Sequence, residues 1–403
     1  MTPRVAVLST GSELLRGRGT DTNLATFART LETVGLEIRY HSTCGDDLGR
    51  LVDELKLAAA RADVILMTGG LGPTDDDLTR PAIEEAFHRP LEFRPRLWRD
   101  IQARFKTFKI SMAAINKRQA YAPKGSISLP NPNGSAPGFA LKADGLLVAC
   151  LPGPPREMKP MLDDHVMPLI RRTFKFRKDW DTYEGRAIGM AEGDVDLVIT
   201  KLARRHGCEY GITAKGGIIH VIAKGAPART RRVGRDFEKR MGANFLAGDL
   251  NALVAGELMR RKITIAVAES CTGGLVASKL TDIPGVSDVL LEACVTYSNT
   301  SKIARLGVAE TTLVEHGAVS EECAREMAEG IARTSGAVVG VATTGIAGPG
   351  GGSREKPVGL VYHAVHYGGE TRVVRRVFPG ERTHVKERAA TVALDMVRRA
   401  LLA

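Results

Sequence analysis

Ile263-Thr264-Ile265-Ala266-Val267 runs directly into Ala268-Glu269-Ser270-Cys271-Thr272-Gly273-Gly274, and the fold turns on how this stretch is read. The first five residues form an apolar, β-rich run, the pattern of a buried strand. Two glycines then punctuate the chain. Gly274-Leu275-Val276-Ala277-Ser278-Lys279-Leu280 follows with the pattern of a helix. A strand, a tight turn and a helix in this order make an α/β unit. The arrangement brings the Ser270 hydroxyl to the carboxyl end of a strand, beside free N–H groups at a helix start. Ser270 reads there as a nucleophile or as a plain helix cap, and only a nucleophile needs a base.

The same alternation recurs in the first ~170 residues. Residues 5–9 read as a strand ending in Thr10-Gly11-Ser12-Glu13, 22–34 as a helix, 36–42 as a strand and 48–60 as a helix. Residues 64–67 form a short buried strand ending in Thr68-Gly69-Gly70, and 146–151 a strand ending in Pro152-Gly153-Pro154-Pro155. Residues 174–249 differ, with helix candidates over 193–205 and 231–241 and a hairpin pattern around 211–222. The α/β pattern then returns, with strands over 337–342 and 360–366 and a long terminal helix over 382–401. The expected fold class is α/β: two three-layer domains with mainly parallel sheets, joined by a small α+β module. The expected bounds are 1–171, 172–250 and 251–403.

The chain has 403 residues, too many for one ordinary core, and an unexceptional 43% hydrophobic content. No apolar run reaches the roughly 18–20 residues of a membrane span. The N-terminus enters a strand almost at once and lacks the pattern of a signal peptide. Cys44, Cys150, Cys208, Cys271, Cys294 and Cys323 are scattered with no C-x-x-C pair, which argues against a zinc site or disulfide framework and fits a reducing cytoplasm. The net charge of +11 is compatible with anionic metabolites, nucleic acid or simple solubility. The basic clusters over 171–178 and 229–235 sit in no nucleic-acid motif, so they read as solvated faces.

Two segments downstream of Ser270 complete a candidate site. Val295-Thr296-Tyr297-Ser298-Asn299-Thr300-Ser301-Lys302 supplies a tyrosine and a lysine, and Thr343-Thr344-Gly345-Ile346-Ala347-Gly348-Pro349-Gly350-Gly351-Gly352 supplies a glycine-rich loop. These are the parts of a metal-free amide hydrolase. Lysine serves as the base only when neutral. Bringing its ordinary pKa of ~10.4 near neutrality costs about 4 kcal/mol, which burial or a cationic neighbour must impose. The N–H groups near Gly273 and Gly274 are candidate oxyanion donors. Each part also has a structural reading: Lys302 as a solvated helix residue, Tyr297 as a core residue, the glycines as plain turns. Cys271 is a rival nucleophile, but no histidine lies in these loops to activate it.

The segments AESCTGG, VTYSNTSK and GIAGPGGGSREKPVG resemble, in this order, the nicotinamide mononucleotide deamidase domain of the CinA (competence/damage-inducible) family. The resemblance covers essentially the whole C-terminal domain. It implies hydrolysis of the nicotinamide carboxamide to nicotinate mononucleotide and ammonia, with Ser270, Tyr297 and Lys302 as catalytic residues and no cofactor. In the mechanism this suggests, Ser270 attacks while Lys302 takes its proton, directly or through Tyr297. The 348–352 backbone, with Gly348, Gly350 and Gly351, and the side chain of Arg382 are candidate phosphate ligands, and Thr344 and Gly345 candidate substrate contacts.

The N-terminal loops hold Thr10, Gly11, Gly69, Gly70 and Gly72, where the backbone can approach a phosphate, and then Asp75, Asp76 and Asp77, which can hold a hard divalent ion or form an acidic helix start. GSELLRG, DTN, TGGLGPTDDDLTR, NKRQAYAPKGS, LPNPNGSAPGF and LPGPPREMKPML resemble the MoaB/MogA-like, molybdopterin-binding-type domain of the same family. Ser12 and Ser135 stand where that family commonly has threonine. The resemblance implies a divalent-metal-dependent ADP-ribose pyrophosphatase and a homodimer; the molybdopterin relationship is one of fold. The expectation is therefore a cytoplasmic hydrolase of pyridine nucleotide salvage, acting on nicotinamide mononucleotide and ADP-ribose, with no membrane or nucleic-acid partner. The rival is a non-catalytic molybdopterin- or DNA-binding factor.

Overall fold

The computed structural model describes residues 2–143 and 145–402. The chain divides into two compact units, Met1–Asp179 and Trp180–Ala403.

The first unit is built on a six-stranded sheet. Its order is Ile38–Cys44, Val5–Thr10, Val64–Thr68, Leu146–Leu151, Gly138–Ala143, Ile127–Leu129. The first four strands are parallel and the last two antiparallel. Alternate residues of each central strand serve opposite faces. Val5, Val7, Val64 and Leu66 pack with Phe27, Leu31 and Met158, while Ala6, Leu8, Ile65 and Met67 pack with Leu51, Leu55 and Ile83. Three layers result. The helices Thr22–Thr33 and Leu48–Arg61 start where Asp21 and Asp47 accept the N–H of Leu24 and Arg50, so both ends are capped from the sequence.

Where the sequence reading placed no element, between residues 79 and 145, the structure has the helices Thr79–Phe87 and Pro95–Phe108 and several short strands. Proline in the first turn of Pro95–Phe108, followed by Leu97 and Ile101 four apart, was the available signal. The three-residue strands are too short to show a period.

The second unit carries two sheets. Glu209–Lys215, Ile218–Gly225 and Asp181–Ile188 form an antiparallel sheet covered by the helices Glu192–His206 and Pro227–Met241. The other sheet has the order Leu290–Val295, Ile265–Glu269, Val339–Gly345, Leu360–Tyr367, Glu370–Val377. Its first three strands are parallel and its last two antiparallel. Again the strands serve two faces: Ile265 and Val267 pack with Val254, Leu258 and Val397, and Ala266 and Ala268 with Leu306, Met327 and Ile331. The stretch Ala268–Gly274 thus leaves an interior, buried strand of this sheet, as the sequence predicts.

The terminal helix Arg382–Leu402 ties the two sheets of this unit together. Asp395 accepts from Arg398 Nε at 2.9 Å and from Arg399 Nε at 2.7 Å. The two arginines also donate to the Ala243 carbonyl at 2.7 Å and to Asn244 Oδ1 at 2.8 Å. Removing the carboxylate leaves Arg398 buried without a counter-charge. Asp395→Ala is expected to lower unfolding free energy by about 3 kcal/mol, measured by urea denaturation.

Candidate active site

Ser270 leaves the strand Ile265–Glu269 and its N–H donates to the Thr343 carbonyl of the neighbouring strand at 3.0 Å, which pins the turn to the sheet. Gly273 and Gly274 then turn the chain with φ of 63° and 91°, values side-chain-bearing residues rarely adopt. Ser270 does not cap the following helix. The buried neighbour Glu269 does: its carboxylate accepts the N–H of Gly274 at 2.9 Å, Val276 at 3.1 Å and Ala277 at 2.9 Å. The Ser270 hydroxyl is therefore free for other work.

Lys302 is that other partner. Its Nζ lies 3.2 Å from Ser270 Oγ and donates to the Thr296 carbonyl at 2.8 Å and the Tyr297 carbonyl at 3.3 Å. The side chain is 1% exposed, contrary to the solvated-helix reading. Burial holds the Lys302 pKa below its ordinary 10.5. No carboxylate forms an ion pair with it among the described residues. The thiols of Cys323 and Cys271, the charges that act on it in the other direction, are themselves pushed up by burial to about 11 and about 12 and stay neutral near pH ~7. A neutral amine has two protons and one lone pair. The two carbonyls take the protons, and the lone pair is left for the Ser270 hydroxyl.

Several expected site residues sit elsewhere or have other work. Tyr297 is 61% exposed rather than in the core, and its hydroxyl accepts from Arg382 Nη2 at 3.2 Å; among the described residues no hydrogen bond joins that hydroxyl to Ser270 Oγ or Lys302 Nζ. Arg382 also donates to the Gly348 carbonyl at 2.9 Å, which joins Tyr297, Arg382 and the glycine-rich loop into one rim. Gly350 and Gly351 are exposed on that loop. The Gly273 N–H goes to the Ser270 carbonyl at 3.2 Å and the Gly274 N–H to Glu269, so neither expected oxyanion donor is free. The Thr272 N–H, by contrast, has no acceptor among the described residues. Thr344 donates to the Ala318 carbonyl at 2.6 Å, and a Cβ at Gly345 would meet the Leu360 carbonyl at 2.5 Å. Both therefore serve packing. Glu269 and Lys386, whose amine would lie 3.5 Å from a Cβ on Gly273, were missed. The position of Glu269, directly before the nucleophile, was the signal for the first.

In the first unit, a cleft of about 410 Å³ opens at the carboxyl ends of the parallel strands. It is lined by Thr10, Gly11, Gly69, Gly70 and Gly72 together with Glu13, Asp46, Gln119 and Glu157. A Cβ on Gly69 would lie 2.6 Å from Thr10 Oγ1, so only glycine fits there. The Gly69 N–H is taken by the Leu151 carbonyl at 3.0 Å, Gly11 by Cys44 at 3.0 Å and Gly72 by Asp77 at 2.7 Å; Gly70 alone of these keeps its N–H free among the described residues.

The three aspartates do not converge. Asp77 also accepts from the Thr74 N–H at 2.8 Å and clasps its own loop, Asp75 pairs with Arg118, and Asp76 faces the cleft. No group of three His, Cys, Asp or Glu is set to hold a metal among the described residues. The reason is local: Asp77 closes the turn that Gly72 opens. Behind the loop, buried Arg80 donates to the carbonyls of Leu71 at 2.9 Å, Tyr121 at 3.0 Å and Pro137 at 3.3 Å. Burial lowers its pKa to about 10, so it keeps its charge at neutral pH with only carbonyls as direct partners. Thr10 Oγ1 and Gln119 Oε1, both buried, have no hydrogen-bond partner among the described residues, at a cost of about 1–3 kcal/mol each.

Comparison with known proteins agrees with the two halves of this architecture. Residues 248–401 match the CinA C-terminal domain and residues 6–172 the domain described as "Probable molybdopterin binding domain". A Clostridium botulinum (strain Okra / Type B1) protein named for competence-damage induction is 39% identical over 409 residues, covering 99% of this chain and 100% of that one. The chain belongs to the CinA family. A Clostridium perfringens (strain 13 / Type A) relative named in the same way is 39% identical over 410 residues, covering 99% of each chain. Among solved structures, the competence/damage inducible protein CihA of Agrobacterium tumefaciens is 41% identical, covering 39% of this chain and 98% of that one with a TM-score of 0.37. No described helix of this family member is long and apolar enough to cross a membrane.

The buried amine yields a stability prediction. The unfolded chain binds the Lys302 proton up to about 10.5, whereas the folded chain releases it at lower pH. Between those values the unfolded state holds more protons, so this residue makes stability rise with pH and then level off. Lys302→Met is expected to be more stable than wild type near neutral pH. The difference, measured by urea unfolding, should shrink as pH approaches ~10.

Proposed function

We propose that the C-terminal domain hydrolyses the carboxamide of nicotinamide mononucleotide, with Ser270 as nucleophile and Lys302 as its base. The observation that carries this reading is the 3.2 Å approach of a buried, counter-charge-free lysine to an uncommitted serine hydroxyl. Ser270 Oγ attacks the carboxamide carbon as its proton passes to Lys302 Nζ. The Thr272 N–H is the available donor for the developing oxyanion. Lys302 then returns the proton to the leaving nitrogen, the C–N bond breaks, and ammonia departs from an ester of Ser270. Water adds to that ester while Lys302 takes its proton. The ester C–O bond breaks, Ser270 is reprotonated, and nicotinate mononucleotide leaves. The Arg382 guanidinium, with Lys386 near the Gly273 turn, gives the substrate's phosphate a cationic rim. Tyr297 orients Arg382 rather than moving protons.

A second activity, hydrolysis of the diphosphate of ADP-ribose, is proposed for the N-terminal cleft. Arg80, buried behind the glycine loop, places a positive charge there that Asp77 partly offsets. The cleft is lined by the carboxylates of Glu13, Asp46, Asp76, Asp77 and Glu157, but no three of the described residues are set together around a metal, so a divalent ion would be held mainly by the substrate's own phosphates with a single carboxylate at most.

Ammonia release from nicotinamide mononucleotide tests the first reading. Ser270→Ala and Lys302→Met are each expected to lower kcat by about 10³-fold or more. In wild type, kcat/KM should rise with pH as Lys302 loses its proton, with the rising limb below the ordinary lysine value of 10.5. Equal ammonia release by wild type and Ser270→Ala would overturn it. For the second reading, phosphate-ester products from ADP-ribose should appear at the same rate in Ser270→Ala and disappear on chelation with EDTA.

A further inference from the structure

We infer that the outer face of the helical layer over residues 192–241 is a docking surface for an anionic lipid bilayer, with Leu197 entering the headgroup region among lysines and arginines. This face shares no residue with either candidate site and rests on neither activity proposed for them. The basic cluster over 229–235, which the sequence reads as a solvated face, becomes part of it.

The helices Glu192–His206 and Pro227–Met241 pack on one face of the antiparallel sheet through Val195, Ile199, Leu202, Val233, Phe237 and Met241. Their other side is open to solvent. Together they carry nine lysines and arginines against five acids. Three of the acids, Glu192, Asp194 and Asp196, lie at the start of the first helix, where they suit its dipole. The rest of the layer is strongly cationic. Lys201, Arg204 and Arg205 follow at i, i+3 and i+4 on one helix, and Arg232, Arg235 and Lys239 at i, i+3 and i+7 on the other, so each set forms one outward stripe. All six are exposed, and among the described residues none of their side chains makes a hydrogen bond or an ion pair. Asp236, which meets His206 Nε2 at 2.9 Å, has its pKa held down by that contact and also by the charges of Arg205 and Arg235, so the two stripes meet there in one field.

Like charges three and four residues apart repel, and nothing within the two helices offsets this. An external polyanion does. Three features favour a bilayer over nucleic acid. Leu197, 58% exposed, precedes Lys201 by four residues and Arg204 by seven, so it stands in the cationic stripe. A leucine gains nothing from a phosphodiester backbone, whereas transfer into a headgroup layer is favourable. The exposed residues of the two helices include no Asn, Gln or aromatic side chain, the groups that read adenine or stack on bases. The two helices also lie over a single sheet, each about 22 Å long, and so present a broad face rather than one ridge for a groove.

The test uses the full chain and sedimentation with vesicles of phosphatidylcholine, with and without about one third phosphatidylserine. Wild type should sediment with the anionic vesicles and not with the neutral ones, and raising salt to about 0.5 M should release it. The triple change Arg232→Gln, Arg235→Gln and Lys239→Gln should weaken binding about a hundredfold. Leu197→Gln leaves the charge unchanged and should weaken it about fivefold. A second triple change, Arg372→Gln, Arg375→Gln and Arg376→Gln, removes the same charge from the strand Glu370–Val377 and should bind as wild type does. All these positions are exposed, and the first triple change relieves repulsion, so its thermal midpoint should stay level or rise. No sedimentation with anionic vesicles, equal loss in the two triple variants, or wild-type binding by Leu197→Gln would overturn the inference. So would a labelled DNA duplex that displaces the protein from the vesicles and binds it more tightly, the behaviour of a nucleic-acid face.

Discussion

The C-terminal site depends on one buried carboxylate. Glu269 accepts three N–H groups at the start of the helix Leu275–Thr281. A helix start leaves several N–H groups without partners, and here they are part-buried or buried, where an unpaired N–H is costly. By taking them, Glu269 lets the strand end abruptly and the chain reverse through two glycines. It also relieves Ser270 of the capping role that its sequence position offers. A serine engaged as a cap would hold its oxygen toward the helix, not toward Lys302. The arrangement removes N–H groups from the site as well, which narrows the donors available to an oxyanion.

The second constraint is the isolation of Lys302. A buried amine with a carboxylate partner would be held charged. With only carbonyls, a hydroxyl and neutral thiols around it, desolvation dominates and lowers the amine's pKa. The same placement that destabilises the fold near neutral pH makes the residue competent as a base, a trade-off common where function and stability compete for one site. The N-terminal cleft follows this logic with different groups. Arg80 is buried against carbonyls, and Thr10 and Gln119 are left without partners. Thr10 in the first unit and Ser270 in the second both stand at the carboxyl ends of parallel strands, where α/β sheets place their ligands.

Much of this was legible in the sequence because it depends on short-range patterns. Apolar runs of strand length, capping aspartates at 21, 47 and 249, and glycines after strands identify the α/β units directly. Ser270, Lys302 and the glycine-rich loop are visible as chemistry-bearing residues. Other features need three dimensions. The exposed Tyr297 hydroxyl meets Arg382, 85 residues away in the chain, a contact no local pattern announces. The aspartates at 75, 76 and 77 look like a metal triad in one dimension. Asp75 turns away to Arg118 and Asp77 is tied to the N–H groups of its own loop, so the three do not form one cluster.

By itself, the sequence determined that this protein is α/β, where its strands end, and which side chains could act there, since those properties follow from local periodicity and turn chemistry. Only the tertiary structure decided which of these residues meet, and in what state. The pairing of Ser270 with Lys302, the low proton affinity of that lysine, and the unpartnered state of Gln119 and Thr10 all arise from burial. Burial is the sum of packing by residues distant in the chain, and no local pattern records it.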